Sequence, residues 1–300
     1  MVEYQDSTAI VETTAADNTT AFNTKREFHN DEISAYWLPK DDEEQMRLTG
    51  QHFIFKELFG GNVLSSVSEA LDFEKGITIL DVGCGSGVWV IDMIHDYPNC
   101  TYYGCDIAET VNKKASYKQF TFIRANVTKR LPYDDNTFDF VHMRFFIAAL
   151  REDEWPAAIS EVLRVTKPGG MIQLMEYVSK QPKDTSCLNY KVITAFRDIC
   201  TSIGQNPDIG ADLEHILSIH SNLRIVQTDF RECDMSSGTL TAKRFIWDAL
   251  QGLKSMQHVM GPILGIAADE EYADFLNEYE RVLKTKETLI SFNSVVVQKL

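Results

Sequence analysis

Short apolar, β-branched blocks alternate with segments of helical spacing through the middle of the chain. ITIL (77–80), continued by Asp81 and Val82, is too short and too branched for a helix and predicts a buried strand. Gly83, Cys84, Gly85, Ser86 and Gly87 form a glycine turn, after which Val88, Ile91, Ile94 and Tyr97 recur at helical spacing up to Pro98. TYYGC (101–105), FTFIRANV (120–127), residues 138–144 and MIQLMEYV (171–178) predict four further strands, with a helix over 155–165 and a KPGG turn at 167–170. This alternation implies right-handed crossovers and a parallel sheet. Two helical stretches (185–203 and 208–220) lead to a sixth strand, LRIVQTDF (223–230), and NSVVVQ (293–298) is the seventh. The roughly sixty residues between them exceed what a hairpin needs and predict a helical insertion over 231–289. Ile246, Leu250 and Leu253 mark one helix there. Tyr272, Phe275, Leu276, Tyr279, Val282 and Leu283 mark a second, and the pair can roof a pocket, the expected role, or bind a partner chain.

The expected fold class is therefore α/β, a doubly wound, mostly parallel seven-stranded sheet of Rossmann-like type. Residues 1–30, rich in Thr, Asn, Asp and Ala, read as a disordered tail. Residues 31–70 read as an N-terminal helical lid, and 71–300 as the main domain. In the lid, Asp41 is an N-cap with Glu44 as its capping-box partner, and Met46, Phe53, Ile54 and Leu58 form an apolar stripe that Gly60 and Gly61 end. The acidic run at 41–44 complements the helix dipole. A second short helix is expected within 63–71. Arg47, Gln51 and His52 lie one turn apart. Either they are surface and packing residues, or the helix covers the carboxyl edge of the sheet, with Arg47 near a cofactor carboxylate and His52 near a substrate.

At 300 residues and 44% hydrophobic content the chain can bury a sizeable core. No apolar run approaches the roughly 18 residues of a membrane span, and the N-terminus lacks the pattern of a secretory signal. The six cysteines form no CxxC pair, which predicts reduced thiols and a cytoplasmic location, with a nuclear one open. The seven histidines form no HExxH or Cys/His cluster, so no metal is expected. A net charge of −15 disfavours nucleic acid as a partner, and Lys113, Lys114 and Lys118 read as solvated surface.

A strand, glycine turn and helix bring bare backbone close to a nucleoside, although a turn of this kind also occurs as a plain structural corner. The dinucleotide fingerprint places its third glycine at the sixth position, which here is Val88. The third glycine falls instead at the fifth position, Gly87, and Asp81 precedes the first by two. Asp106 ends the second strand, where a carboxylate can accept both ribose hydroxyls or simply close a turn. Asn126 can pair with adenine through donor and acceptor, and Val127 offers a backbone N–H and an apolar contact.

DVGCGSG (81–87) looks like motif I of the class I S-adenosylmethionine-dependent methyltransferases, a resemblance extending over about residues 71–300. YWLPKDDEEQMRLTGQHFIFKELFGGN (36–62) and GSGVWVIDMIHDYP (85–98) resemble the LaeA-like group of fungal methyltransferases, which has a core of the trans-aconitate-methyltransferase type. The resemblance implies S-adenosylmethionine as cofactor, with its methionine part against Gly83, Cys84, Gly85 and Gly87. The ribose falls on Asp106, Ile107 lies beside the adenine, and the adenine edge falls on Asn126 and Val127. Cys84 and Ser86 depart from the threonine frequent in the group. The end of the fourth strand reads HMRF, not the Asn/Asp-Pro-Pro-aromatic motif of amino-methylating nucleic-acid enzymes. No Pro-Cys nucleophile or paired-glutamate loop is present, and of the carboxylates a metal-dependent site would need only Glu176 is suggestive. The expected acceptor is a small molecule or a protein side chain. His52 is the first candidate for a general base, followed by Tyr36, His142 and Tyr177. The alternative is a non-catalytic, cofactor-binding regulator that acts through protein partners. An NAD(P) oxidoreductase is disfavoured by Val88.

Overall fold

The computed structural model describes residues 26–28, 36–108 and 117–300. The expected tail over 1–30 lies almost wholly outside the described residues, as do the first five lid residues, Lys113 and Lys114. Helices α1 (Asp42–Phe59) and α2 (Ser65–Ala70) precede β1 (Thr78–Val82). Then come α3 (Val88–Asp96), β2 (Thr101–Asp106), β3 (Phe120–Arg124), β4 (Phe138–Arg144), α4 (Trp155–Val165) and β5 (Thr166–Val178). Helices α5 (Leu188–Ser202) and α6 (Ile209–Ser218) lead to β6 (Leu223–Asp234). Helices α7 (Leu240–Ser255), α8 (Gln257–Leu264) and α9 (Asp269–Thr285) form the insertion before β7 (Leu289–Lys299).

The seven strands lie in the order β3-β2-β1-β4-β5-β7-β6. All pairs from β3 to β5 are parallel, whereas β7 is antiparallel to both β5 and β6. The strands next to β1 are apolar on both faces because helices cover both. On one face Trp155, Ile159, Val162 and Leu213 pack on Val141 and Leu174. On the other, Trp89, Val90 and Met93 pack with Val67 on Ile79 and Phe140. A third cluster joins the lid to the insertion through Phe55, Phe245, Tyr272, Leu283 and Phe292.

Strand and helix positions follow the hydrophobic pattern closely, with four departures. KPGG, expected as a turn, is absorbed into β5 as an irregularity, with Phe138 opposite Thr166 and Phe140 opposite Met171. Strands β6 and β7 run on past their expected ends as a ribbon that pairs Asp234 with Leu289, so the insertion is shorter than 231–289. The insertion holds three helices, because α8 is brief and carries an internal Pro262. The lid stripe is rotated from expectation. Met46 is 66% and Phe53 48% exposed, while Glu44, Arg47, His52, Ile54 and Phe55 are buried. Asp41 caps the helix as expected, accepting from the Glu44 N–H at 3.1 Å. The Glu44 side chain bonds Arg47 and Ser255 in place of the return half of the capping box, so the lid presents charge to the interior.

Helix α6 lies so close to β5 that a Cβ on Gly210 would overlap the Tyr177 carbonyl oxygen. Gly210→Ala should therefore lower stability by about 2–3 kcal/mol through overpacking. An unchanged urea midpoint would show that the contact relaxes freely.

Candidate active site

The carboxyl ends of β1 to β5 open into a cavity of about 410 Å³, roofed by the lid and the insertion. The glycine turn after β1 forms one wall. Gly83, Gly85 and Gly87 all have positive φ, which L side chains rarely adopt. A Cβ on Gly83 would come within 2.5 Å of the Phe146 ring, whereas Gly85 faces open space. Gly87 is the N-cap of α3 and does not line the cavity. The backbone N–H groups of Gly83 and Cys84 both donate to the Cys105 carbonyl, tying the turn to β2.

Asp106 closes β2 beside the turn. Its Oδ2 accepts from the Gly85 N–H and its Oδ1 from the Ala108 N–H, each at 2.9 Å. Burial pushes its carboxyl up while these N–H donors oppose the shift. Each oxygen keeps further acceptor capacity. Because β3 ends at Arg124, Asn126 and Val127 fall in the turn that borders the cavity, opposite Ile107. Asn126 Oδ1 already accepts from the Thr128 N–H and Oγ1, each at 2.9 Å. The donor-plus-acceptor pairing expected of this amide is thereby reduced to its NH₂. Cys84 also borders the cavity, and burial pushes its thiol well above the ordinary range.

The lid contributes Tyr36, Gln45, Arg47 and Gln51 to the wall. Arg47 was expected near a cofactor carboxylate, but its guanidinium is engaged by protein. Nη2 donates to Glu44 Oε1 at 2.6 Å and Nη1 to Asp248 Oδ1 at 2.7 Å. Gln51 Nε2 donates to the second Asp248 oxygen at 3.0 Å.

The expectation for His52 is corrected. The residue is 1% exposed and does not line the cavity. Arg144 Nη2 donates to Nδ1 at 3.2 Å, which assigns the proton to Nε2, 2.9 Å from Asp92 Oδ2. Burial and the Arg144 charge push this imidazole down to about 4, outweighing the Asp92 carboxylate. With both nitrogens engaged it has no site left for an acceptor's proton. His142 is likewise withdrawn, bonded to Asp81 at 2.8 Å and stacked on Trp89 at 4.1 Å. Tyr36 and Tyr177 do line the cavity, but burial pushes both phenols up, so they hold their protons at neutral pH. Glu176 accepts from the backbone N–H groups of Phe146 (2.6 Å) and Ile147 (3.1 Å), pinning a turn in which Phe145 has φ 60°.

Two features had no distinct signal in the sequence. One is the apolar end of the cavity, walled by Phe196, Met235, Met260, Tyr279 and Phe292, residues indistinguishable from ordinary core in their spacing. The other is Arg144, which the pattern showed only as part of HMRF.

Comparison with known proteins bears on this geometry. Residues 79–170 match the family described as methyltransferase domain. The chain is 30% identical over 156 residues to the secondary metabolism regulator laeA of Coprinopsis cinerea, covering 51% of this chain and 38% of that protein. It is 31% identical over 180 residues to the N-methyltransferase tcpN of Claviceps purpurea, covering 57% and 62%. The chain thus spans less than two thirds of either relative. Among solved structures it shares its fold with the [4+2]-cyclase SpnF, with a TM-score of 0.50 and 18% identity over 87% of this chain and 96% of that one. Over residues 79–170, which include the glycine turn, the chain matches a methyltransferase domain, a class whose methyl donor is S-adenosylmethionine.

The residues present fit that cofactor. Ser86 Oγ in the turn and Gln45 Oε1 in the lid are buried without a hydrogen-bond partner among the described residues, and both residues line the cavity. Asp106, the Asn126 amide and the open face of Gly85 complete a polar end suited to a nucleoside carrying an amino-acid arm.

The neutral His52 makes stability pH-dependent. Its pKa falls from 6.5 unfolded to about 4 folded, so its contribution is complete above 6.5 and is lost as pH falls toward 4. Between pH 7 and 5 the wild type should lose about 2 kcal/mol through this group, and His52→Gln should lose correspondingly less. Equal losses in urea melts at the two pH values would refute the assignment.

Proposed function

We propose that the chain transfers the methyl group of S-adenosylmethionine to a small, largely apolar acceptor. The observation that carries this reading is one continuous cavity joining the polar end at Gly85, Asp106 and Asn126 to an apolar end enclosed by α5, the insertion and β7. The cofactor brings a methyl group on an electrophilic sulfonium, so the protein has mainly to align the reactants and exclude water. Asp106 holds the ribose hydroxyls. The turn from Gly83 to Ser86, with Cys84, receives the methionine part, and Gly87 only shapes that turn. Ile107 and Val127 flank the adenine, and the Asn126 amide donates to it. Arg47 acts indirectly, keeping the lid closed over this end.

Among the described residues no histidine lines the cavity, its three phenols hold their protons, and the Glu154 carboxylate at its edge accepts from the Arg151 N–H. An acceptor that presents its own lone pair, as an amine free of its proton does, would need no strong base from the wall. Relatives named as N-methyltransferases support an amine, and those named as regulators of secondary metabolism support a role in that area of fungal chemistry. Enclosure by three elements favours a small molecule over a protein side chain. A purely regulatory role would not require such a compartment. No helix among the described residues is long and apolar enough to cross a membrane. The free cysteines suit the reducing cytoplasm or nucleus.

Calorimetry with S-adenosylhomocysteine tests the reading directly. The wild-type protein should bind it, and Asp106→Ala should stay folded and bind about 1.5–3 kcal/mol more weakly, since two hydroxyls lose a charged acceptor. Absence of binding by the folded wild type would overturn the proposal, and undiminished binding by the variant would remove Asp106 from it. With labelled cofactor and a fungal metabolite extract, the label should enter the organic-soluble fraction.

A further inference from the structure

Two arginines reach the cavity wall from the interior, and their environments differ sharply. Arg47 is shared between two carboxylates. Arg144, the last residue of β4, has no carboxylate within ion-pair distance among the described residues. Its contacts are the Nη2 bond to neutral His52 and the Phe145 ring, 5.8 Å from the guanidinium carbon. Asp81, the acid whose field it feels most, is already bonded to His142. A buried cation without a counter-charge is costly, and a planar fork of donors at a cavity wall is the complement of a carboxylate.

From this we infer that Arg144 is the carboxylate-binding group of the cavity. It lines the cavity between Phe145 and the lid's His52. The anion is either the carboxylate of the cofactor's methionine arm or an acid group on the acceptor, and both would dock by the same paired hydrogen bonds. His52 is then a positioning residue. Its Nδ1 takes one N–H of the fork, and Asp92 fixes the ring that offers that lone pair. The assignment rests on the reading of the cavity as a methyl-transfer site.

Two ligand pairs, measured by calorimetry on the full chain, test it. The first is S-adenosylhomocysteine against its decarboxylated analogue, 5′-(3-aminopropylthio)-5′-deoxyadenosine. The second, with S-adenosylhomocysteine saturating, is 4-phenylbutyrate against its amide, chosen for the aromatic lining. In at least one pair the wild type should prefer the carboxylate by about tenfold or more, as a charge-assisted pair of bonds would give. Arg144→Gln should abolish that preference and Arg144→Lys retain part of it. Preference in the first pair identifies the cofactor's carboxylate as the anion, and preference in the second identifies the acceptor's. If the wild type binds S-adenosylhomocysteine but prefers the carboxylate in neither pair, or if Arg144→Gln keeps the preference, Arg144 is not the anion receptor. If the wild type binds no S-adenosylhomocysteine, the proposed function fails first and takes this assignment with it.

Discussion

One guanidinium between two buried carboxylates holds the roof of the cavity in place. Arg47 on α1 bonds Glu44 on its own helix and Asp248 on α7, joining the first helix of the lid to an insertion two hundred residues away. Ser255 on α7 donates to Glu44, and Arg26 reaches both Ser255 and Asp41, extending the network to the lid's N-cap. The exposed pairs along the same seam, Glu43 with Lys254 and Glu57 with Arg244, contribute little each. The buried triad behaves differently. Removing one member strands the others in a low-dielectric interior, which costs about 3–5 kcal/mol in comparable cases. Loss of Arg47 would thus disturb the roof itself, and its effect on ligand binding would report lid geometry before any direct contact.

The same triad explains what the sequence concealed about the lid. A helix facing water on one side and core on the other is read from its apolar stripe, and Met46, Phe53, Ile54 and Leu58 supply one. That logic assumes the buried face is apolar. Here half of it is ionic, because α7 brings a carboxylate to meet it, and only a partner distant in sequence makes burial of Glu44 and Arg47 tolerable. The stripe consequently rotates, leaving Met46 and Phe53 in solvent. At other elements the pattern sufficed. The strand at 138–144 and the helix at 155–165 were legible to the residue, since each is set by its own continuous burial against a two-sided sheet.

The candidate site was legible in proportion to how far its chemistry is carried by backbone. The glycine turn and Asp106 announce themselves because positive φ and a strand-end carboxylate leave marks in the local sequence. The apolar end does not, since Phe292, Met260 and Phe196 have the spacing of ordinary core and become cavity wall only through the arrangement of three separate elements. His52 shows the converse error. A histidine beside a cleft suggested proton transfer, but its burial, Arg144 and Asp92 make it a fixed neutral bracket.

Strand β7 lies between β5 and β6, and β6 has no other neighbour in the sheet. On a ribosome, β6 and the three insertion helices emerge before the strand that will join them to the rest. Until β7 inserts, antiparallel to both flanks, the edge of β5 is bare and the cavity lacks the wall that Phe292 supplies. The amino-terminal five strands can assemble as they are made, whereas enclosure of the apolar compartment waits for β7. A nascent chain would accordingly acquire its nucleoside-facing half well before its acceptor-facing half, and any ligand that stabilises the first could act as a template for completing the second.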